Sequence, residues 1–241
     1  MKRKHTFAQH FLVSPRFALE LVGHTNIKKR DLVLDIGAGS GVFTYALAKR
    51  AKEVVAIEME PETAKKLRKN TEKLANVEVI QTDFMGYNLP KTPYKVVANI
   101  PFHLSSKIVQ KLVFSGNGPD AIYLIVQKQF AEKFKSDTRK FSSALGITSG
   151  ILYTTRVRRP LKKTDFYPRP AVDTVFLELK KREKPVIAVH EIGGFCELVS
   201  GCFDKPKIFC NVQKNAPELA LLKPSELTLD EWVRVWERVK P

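Results

Sequence analysis

The segment Asp35-Ile36-Gly37-Ala38-Gly39-Ser40-Gly41 constrains this chain more than any other. It closes the apolar run Leu32 to Ile36, which reads as a strand, and leads into Val42 to Lys52, which has helical character. Glycines at such a turn let backbone approach a ligand closely at the carboxyl end of the strand, the usual binding crevice of an open parallel sheet. The spacing is GxGxG, so the GxGxxG fingerprint of a pyrophosphate cradle is missing. A parallel α/β sheet with a ligand at the end of its first strand satisfies this pattern; a merely tight structural turn is the plainer alternative.

The rest of the first two-thirds repeats the strand-helix alternation. Glu53 to Ile57 reads as a second strand, Pro61 to Leu74 as a helix with proline in its first turn, and Val77 to Ile80 as a third strand. Lys95 to Ile100, a helix presenting Ile108, Val109, Leu112 and Val113 on one face, and Ala121 to Val126 continue the series. Residues 150–158 and 172–179 are expected as the last two strands, an antiparallel pair because the link between them is short and proline-rich. The fold class expected is therefore α/β, a mostly parallel seven-stranded sheet. Beyond Lys184-Pro185 the spacing of Ile192, Phe195, Cys196, Val199, Cys202 and Phe203 is helical, and Thr228-Leu229-Asp230-Glu231 is a capping box ahead of Trp232, Val233, Trp236 and Val239. Two domains are expected, an α/β domain over residues 1–184 and a small helical one over 185–241.

Charge separates the two. The chain carries 41 Lys+Arg against 25 Asp+Glu, a net +16, far more than the magnitude of about 2–8 that solubility asks of a small domain. Residues 1–184 hold 34 basic and 17 acidic side chains, residues 185–241 hold 7 and 8, so a polyanionic partner is expected across the α/β part. Cys196, Cys202 and Cys210 lack CxxC spacing, which suggests neither a disulfide framework nor a zinc site. GxxxxGK[ST] and GxSxG do not occur, and His190-Glu191 runs into Ile192-Gly193-Gly194 without a second histidine. No metal is expected. The first residues are basic without a following apolar run, and no stretch approaches 18 apolar residues, so a cytoplasmic chain with no membrane partner is expected.

The strand ends carry the candidate chemistry. Glu58 can accept hydrogen bonds from both hydroxyls of a ribose, and Asp83 can accept from an adenine amino group, with Phe84 or Met59 beside the ring. GxGxG, Glu and Asp at three successive strand ends point to S-adenosyl-L-methionine. Asn99-Ile100-Pro101-Phe102 closes the fourth strand. The exocyclic amine of a base is a poor nucleophile because its lone pair is delocalised into the ring. Acceptors around its hydrogens favour the pyramidal form, and Asn99 with the Ile100-Pro101 backbone can supply them. Phe102 offers a face for an extruded base. Phe166-Tyr167-Pro168-Arg169-Pro170 either walls the other face of that base, with Arg169 near phosphate, or is a rigidly packed loop. Lys128, Lys133, Arg139 and Lys140, interleaved with Phe130 and Phe134, and then Arg156, Arg158 and Arg159 make a candidate nucleic-acid surface.

These motifs, with Gln9-His10-Phe11-Leu12 ahead of them, stand in the order seen in rRNA adenine-N6 methyltransferases, which the chain resembles from about residue 5 to its end. Asn-Ile-Pro-Phe, the short helical tail and the length are most similar to the erythromycin-resistance branch acting on large-subunit rRNA, against the small-subunit adenine dimethylases. The resemblance implies a Rossmann-like methyltransferase fold and a monomeric enzyme that uses S-adenosylmethionine to methylate rRNA and confers macrolide-type resistance. It places Gln9, His10 and Leu12 against the cofactor, Gly37, Gly39 and Gly41 around its methionine part, Glu58 on ribose, Asp83 on adenine, and Asn99 to Phe102 on the target base. His10 stands where the family usually has Asn, and Asp35 where Glu is commoner. A non-catalytic RNA-binding factor on the same fold is the alternative from another class, and the intact Asn99-to-Phe102 motif argues against it.

Overall fold

The structure, a computed structural model, describes residues 10–137 and 142–240; Gln9, Arg139 and Lys140 lie outside them. Among the described residues nine strands run in chain order: β1 (Phe11–Leu12), β2 (Leu32–Ile36), β3 (Glu53–Glu58), β4 (Val77–Gln81), β5 (Lys95–Asn99), β6 (Ala121–Gln127), β7 (Tyr153–Leu161), β8 (Phe166–Tyr167) and β9 (Thr174–Lys181). The helices are α1 (Pro15–Gly23), α2 (Val42–Ala48), α3 (Pro61–Thr71), α4 (Ser105–Phe114), α5 (Lys128–Glu132), α6 (Ala144–Gly150), α7 (Ile192–Asp204), α8 (Pro206–Asn215) and α9 (Leu229–Val239).

Seven strands form one sheet in the order β4-β3-β2-β5-β6-β9-β7, and β1 pairs with β8 in a second, two-stranded sheet. β4, β3, β2, β5 and β6 are parallel, while β9 is antiparallel to β6. The chain moves outward from β2 through β3 to β4, then returns to place β5 on the other flank of β2. That reversal opens a crevice at the carboxyl ends of β2 and β5. Register brings the strand ends level: Ile36 lies opposite Ile57 and Ala98, and Glu58 opposite Gln81. The loops after β2, β3, β4 and β5 therefore share one rim. The central strands are apolar on both faces because helices cover both, and Val33, Leu34, Val96, Val97, Leu124 and Ile125 are fully buried.

Packing divides the chain into two compact units, residues 1–128 with 156–180, and residues 129–155 with 181–241. The division differs from one drawn at residue 184, because α6 buries Ile147 and Ile151 in the same apolar cluster as Phe195, Val199, Trp232 and Trp236. Helix starts follow side-chain capping. Ser14 Oγ accepts from Phe17 N at 3.3 Å ahead of Pro15, and Thr228 and Glu231 exchange reciprocal bonds at the start of α9. Several boundaries fall elsewhere than the pattern suggests, among them the end of α3 at Thr71 and not at Leu74. α2 stops at Ala48, where Arg50 N and Ala51 N both turn back to the Leu47 carbonyl at 2.8 Å. β7 begins at Tyr153, not at residue 150, because Gly150 still belongs to α6.

Candidate active site

A pocket opens on the rim of unit 1, and its walls come from each strand end in turn: Asp35, Gly37 and Gly39 after β2, Glu58 and Met59 after β3, Asp83 and Phe84 after β4, and Asn99 to Phe102 after β5. His10, Phe11 and Leu12 close another side. The glycine loop is shaped by its backbone: Gly37, Gly39 and Gly41 all have positive φ, which L-residues with a Cβ rarely adopt. Gly41 is not in the pocket wall. Its φ is 97°, it caps α2, and a Cβ there would meet Leu67 Cδ1 at 2.8 Å. Its part is to turn the chain into α2.

Glu58 is 4% exposed. Oε2 accepts from Gly39 N at 2.8 Å and Oε1 from Glu60 N at 3.0 Å, which orients the carboxylate and leaves a second lone pair on each oxygen for a diol. Asp35 is buried and accepts from Thr44 Oγ1 at 2.6 Å. Burial pushes its pKa from 3.8 up to about 7, against the Thr44 hydrogen bond and with the help of the neighbouring Glu58 charge. The sign of the linkage follows. Between pH about 4 and about 7 the folded chain keeps a proton that the unfolded chain releases, so the Asp35 contribution to stability falls as pH rises across that window. Asp35→Asn should raise stability at pH 8 by about 1–3 kcal/mol and remove this slope. Thermal melts from pH 4 to 8 measure it, and an unchanged slope refutes the assignment.

Asp83 caps the short turn that follows β4, accepting from Met85 N at 2.9 Å through Oδ1. Phe84 is 6% exposed beneath it and faces the pocket. Across the rim, Asn99 Nδ2 donates to the His10 carbonyl at 2.6 Å. Because that partner is an acceptor, the amide must turn its Nδ2 toward it, which leaves Oδ1 to accept from another donor. The His10 ring stacks on Phe102, centroids 5.6 Å apart at 30°, and its Nδ1 donates to the Pro168 carbonyl at 2.7 Å. Pairing of Phe11 with Tyr167 and of Leu12 with Phe166 ties this strap down. The arrangement can hold an adenine-bearing ligand along two acids, Glu58 and Asp83, and present acceptors to an amine beside Phe102.

The remaining candidates separate. Phe166 is 2% exposed and belongs to the core of unit 1, which favours the packed-loop reading over the base wall; the exposed aromatic of that loop is Tyr167. Phe130 and Phe134 are likewise buried, edge to face at 5.3 Å, and are not stacking platforms. Arg158 donates to the His24 carbonyl at 2.8 Å and pairs with Glu178, and Arg159 pairs with Glu20 over the Phe17 ring, so both brace the fold. Lys128, Lys133, Arg156 and Arg169 are exposed. Sequence reading passed over Lys65, Lys66, Arg68 and Lys69, exposed on α3; the signal was the run Lys65-Lys66-Leu67-Arg68-Lys69 with its one buried leucine. Unit 1 carries 27 basic and 14 acidic side chains, unit 2 carries 14 and 11. Among the described residues no group of His, Cys, Asp and Glu could hold a metal ion, and no helix is long and apolar enough to cross a membrane.

The ribosomal RNA adenine dimethylase family model matches residues 1–226. The chain belongs to that family. Membership makes it an rRNA adenine N6-methyltransferase, as the order of its strand-end motifs implied. It is 32% identical over 191 residues to an rRNA adenine N-6-methyltransferase from Escherichia coli, covering 77% of this chain and 74% of that one. It is 30% identical over 217 residues to a ribosomal RNA small subunit methyltransferase A from Clostridium perfringens, covering 87% and 76%. The fold matches the 23S rRNA methyltransferase ErmE with a TM-score of 0.80 at 23% identity over 96% of this chain and all of that one. It matches a Plasmodium falciparum dimethyladenosine transferase with the same score at 21% identity, over 95% and 96%. The family's chemistry implies S-adenosylmethionine as methyl source and rRNA as substrate.

Proposed function

We propose that this enzyme methylates N6 of an unpaired or flipped adenine in large-subunit (23S) rRNA, with macrolide-type resistance as the consequence. The observation that carries the chemistry is Asn99, whose Nδ2 is engaged by the His10 carbonyl while Oδ1 is left for an incoming amine at the pocket rim. Bound S-adenosylmethionine supplies an electrophilic methyl group. The donor set suits it: Glu58 keeps a lone pair on each oxygen for the ribose hydroxyls, Asp83 takes the adenine amine, Phe84, Met59 and Leu12 line the adenosine, and Gly37 and Gly39 let the methionine part lie close to backbone. Asn99 Oδ1 and the Ile100 carbonyl hold the target amine by its hydrogens, Pro101 shapes the turn, and Phe102 stacks the base. The proton lost from the amine passes to solvent. Rate comes from proximity and orientation, so no strong general base is required. One copy supplies every one of these groups, in keeping with a monomer.

The choice of subunit rests on Asn99-Ile100-Pro101-Phe102 and the Thr228-to-Trp232 tail. Small-subunit dimethylation is the second reading, favoured by the Clostridium relative that aligns over 87% of the chain. Incubation with methyl-labelled cofactor and, separately, 23S and 16S rRNA, naked or in assembling particles, decides between them. Label on one 23S adenine is the expected result. Label only in 16S overturns the large-subunit reading, and cofactor binding without transfer to either RNA would leave a non-catalytic factor.

A further inference from the structure

Lys111, on α4, donates to the carbonyls of Phe84, Met85 and Tyr87, each at 2.7 Å. An ammonium has three N–H donors, and all are used on one turn. Its Nζ also lies 4.9 Å from the centre of the Phe84 ring, within cation–π range. The turn it grips is a single 3₁₀ turn, Phe84–Gly86, started by the Asp83 carboxylate. So short a turn satisfies few of its own carbonyls and has no cooperative stability. Partial burial lowers the Lys111 pKa and the Asp83 charge opposes that shift. An alkyl side chain would fill this place on α4 without the cost of desolvating an ammonium. The three acceptors, with the Phe84 ring face and the Asp83 charge, offset that cost.

We propose that Lys111 is a positioning residue for the purine end of the cofactor, a clamp that holds the Asp83 carboxylate and the Phe84 ring in place against the pocket before the ligand arrives. This rests on the reading that Asp83 and Phe84 receive the adenine. Lys111 itself is outside the pocket wall, so it acts through the turn. Lys111→Met keeps the stem and removes the donors; Lys111→Gln keeps two N–H donors and serves if the first variant does not fold.

The test measures calorimetric affinity for S-adenosylhomocysteine, amide exchange at Met85, Gly86 and Tyr87, and single-turnover rates, for Lys111→Met, Lys111→Gln, Asp83→Asn and the Lys111→Met/Asp83→Asn double variant. Lys111→Met should weaken binding about tenfold or more and speed exchange at the three amides. Its rate at saturating cofactor should stay near that of the unaltered enzyme, and Lys111→Gln should fall between. The double variant should bind no more than about twofold worse than the weaker single, because both changes disable one device. A general loss of structure would instead lower the rate at saturation without a selective change in affinity. Unchanged affinity in Lys111→Met, or losses that multiply in the double variant, overturns the proposal alone. Unchanged affinity in Asp83→Asn overturns the purine-end reading beneath it.

Discussion

Asn99→Ala is expected to lower the single-turnover methylation rate by about 10²–10³-fold while cofactor and RNA affinities change little. The reason lies in when its oxygen matters. In the ground state the adenine amine is flat and weakly basic, and an acceptor beside it adds ordinary binding. Toward the transition state the nitrogen pyramidalises and its hydrogens become more acidic, so the acceptor gains strength where the rate is set. Asn99 is placed for this at the end of β5, its orientation fixed by the 2.6 Å bond from Nδ2 to the His10 carbonyl. Asn99→Asp separates the two halves of the amide. It keeps an acceptor but loses the donor to His10, so the strap should loosen and the rate fall less than for alanine. Phe102→Tyr, which keeps the ring, should remain active, whereas Phe102→Ala loses base docking of roughly 1–3 kcal/mol. Melting curves establish that each variant is folded. An Asn99→Ala enzyme that turns over at the wild-type rate with saturating substrates refutes this account of activation, whatever the family.

How much of this was legible in the sequence depended on how local each feature is. The Asp35-to-Gly41 turn, the acids at the ends of β3 and β4, and Asn99-to-Phe102 sit where strands end, and the strand-helix alternation that fixes those ends is written in neighbouring residues. Phe166 and Tyr167 show the opposite case. Adjacent side chains of a strand point to opposite faces, and which one is buried is decided by pairing of β8 with β1, over 150 positions earlier in the chain. Arg158 and Arg159 read as free positive charge because Glu178 and Glu20, which engage them, are distant in sequence. The helix α6 was hidden for a similar reason. Ile147 and Ile151 look like the approach to a strand until α7 and α9 supply the surface they pack on. Lys111 carried no signal, since its partners are backbone carbonyls, which every residue has.

RNA binding should lose about 10³ in affinity between 50 and 200 mM monovalent salt. Each phosphate neutralised releases condensed counterion, and about six such contacts suffice for a fall of this size. Unit 1 holds 27 basic against 14 acidic side chains, an excess of 13, so six contacts use less than half of it. Arg158 and Arg159 are already engaged within the fold, whereas Lys128, Arg156, Arg169 and the α3 side chains Lys65, Lys66, Arg68 and Lys69 are among the exposed basic side chains of unit 1. Reversing Lys65 and Lys69 to glutamate should flatten the log-log slope by about one contact's worth each if α3 meets the backbone, and Arg156→Glu and Arg169→Glu test the rest in the same way. Truncation at residue 184 is a poor probe, because it strips Ile147 and Ile151 of the apolar cluster that buries them. Charge reversal at exposed positions leaves every core contact in place. Filter binding across a salt series, with melting curves for each variant, reads the slopes directly. A slope near zero for the unaltered protein would mean that the positive excess of unit 1 does not face the RNA.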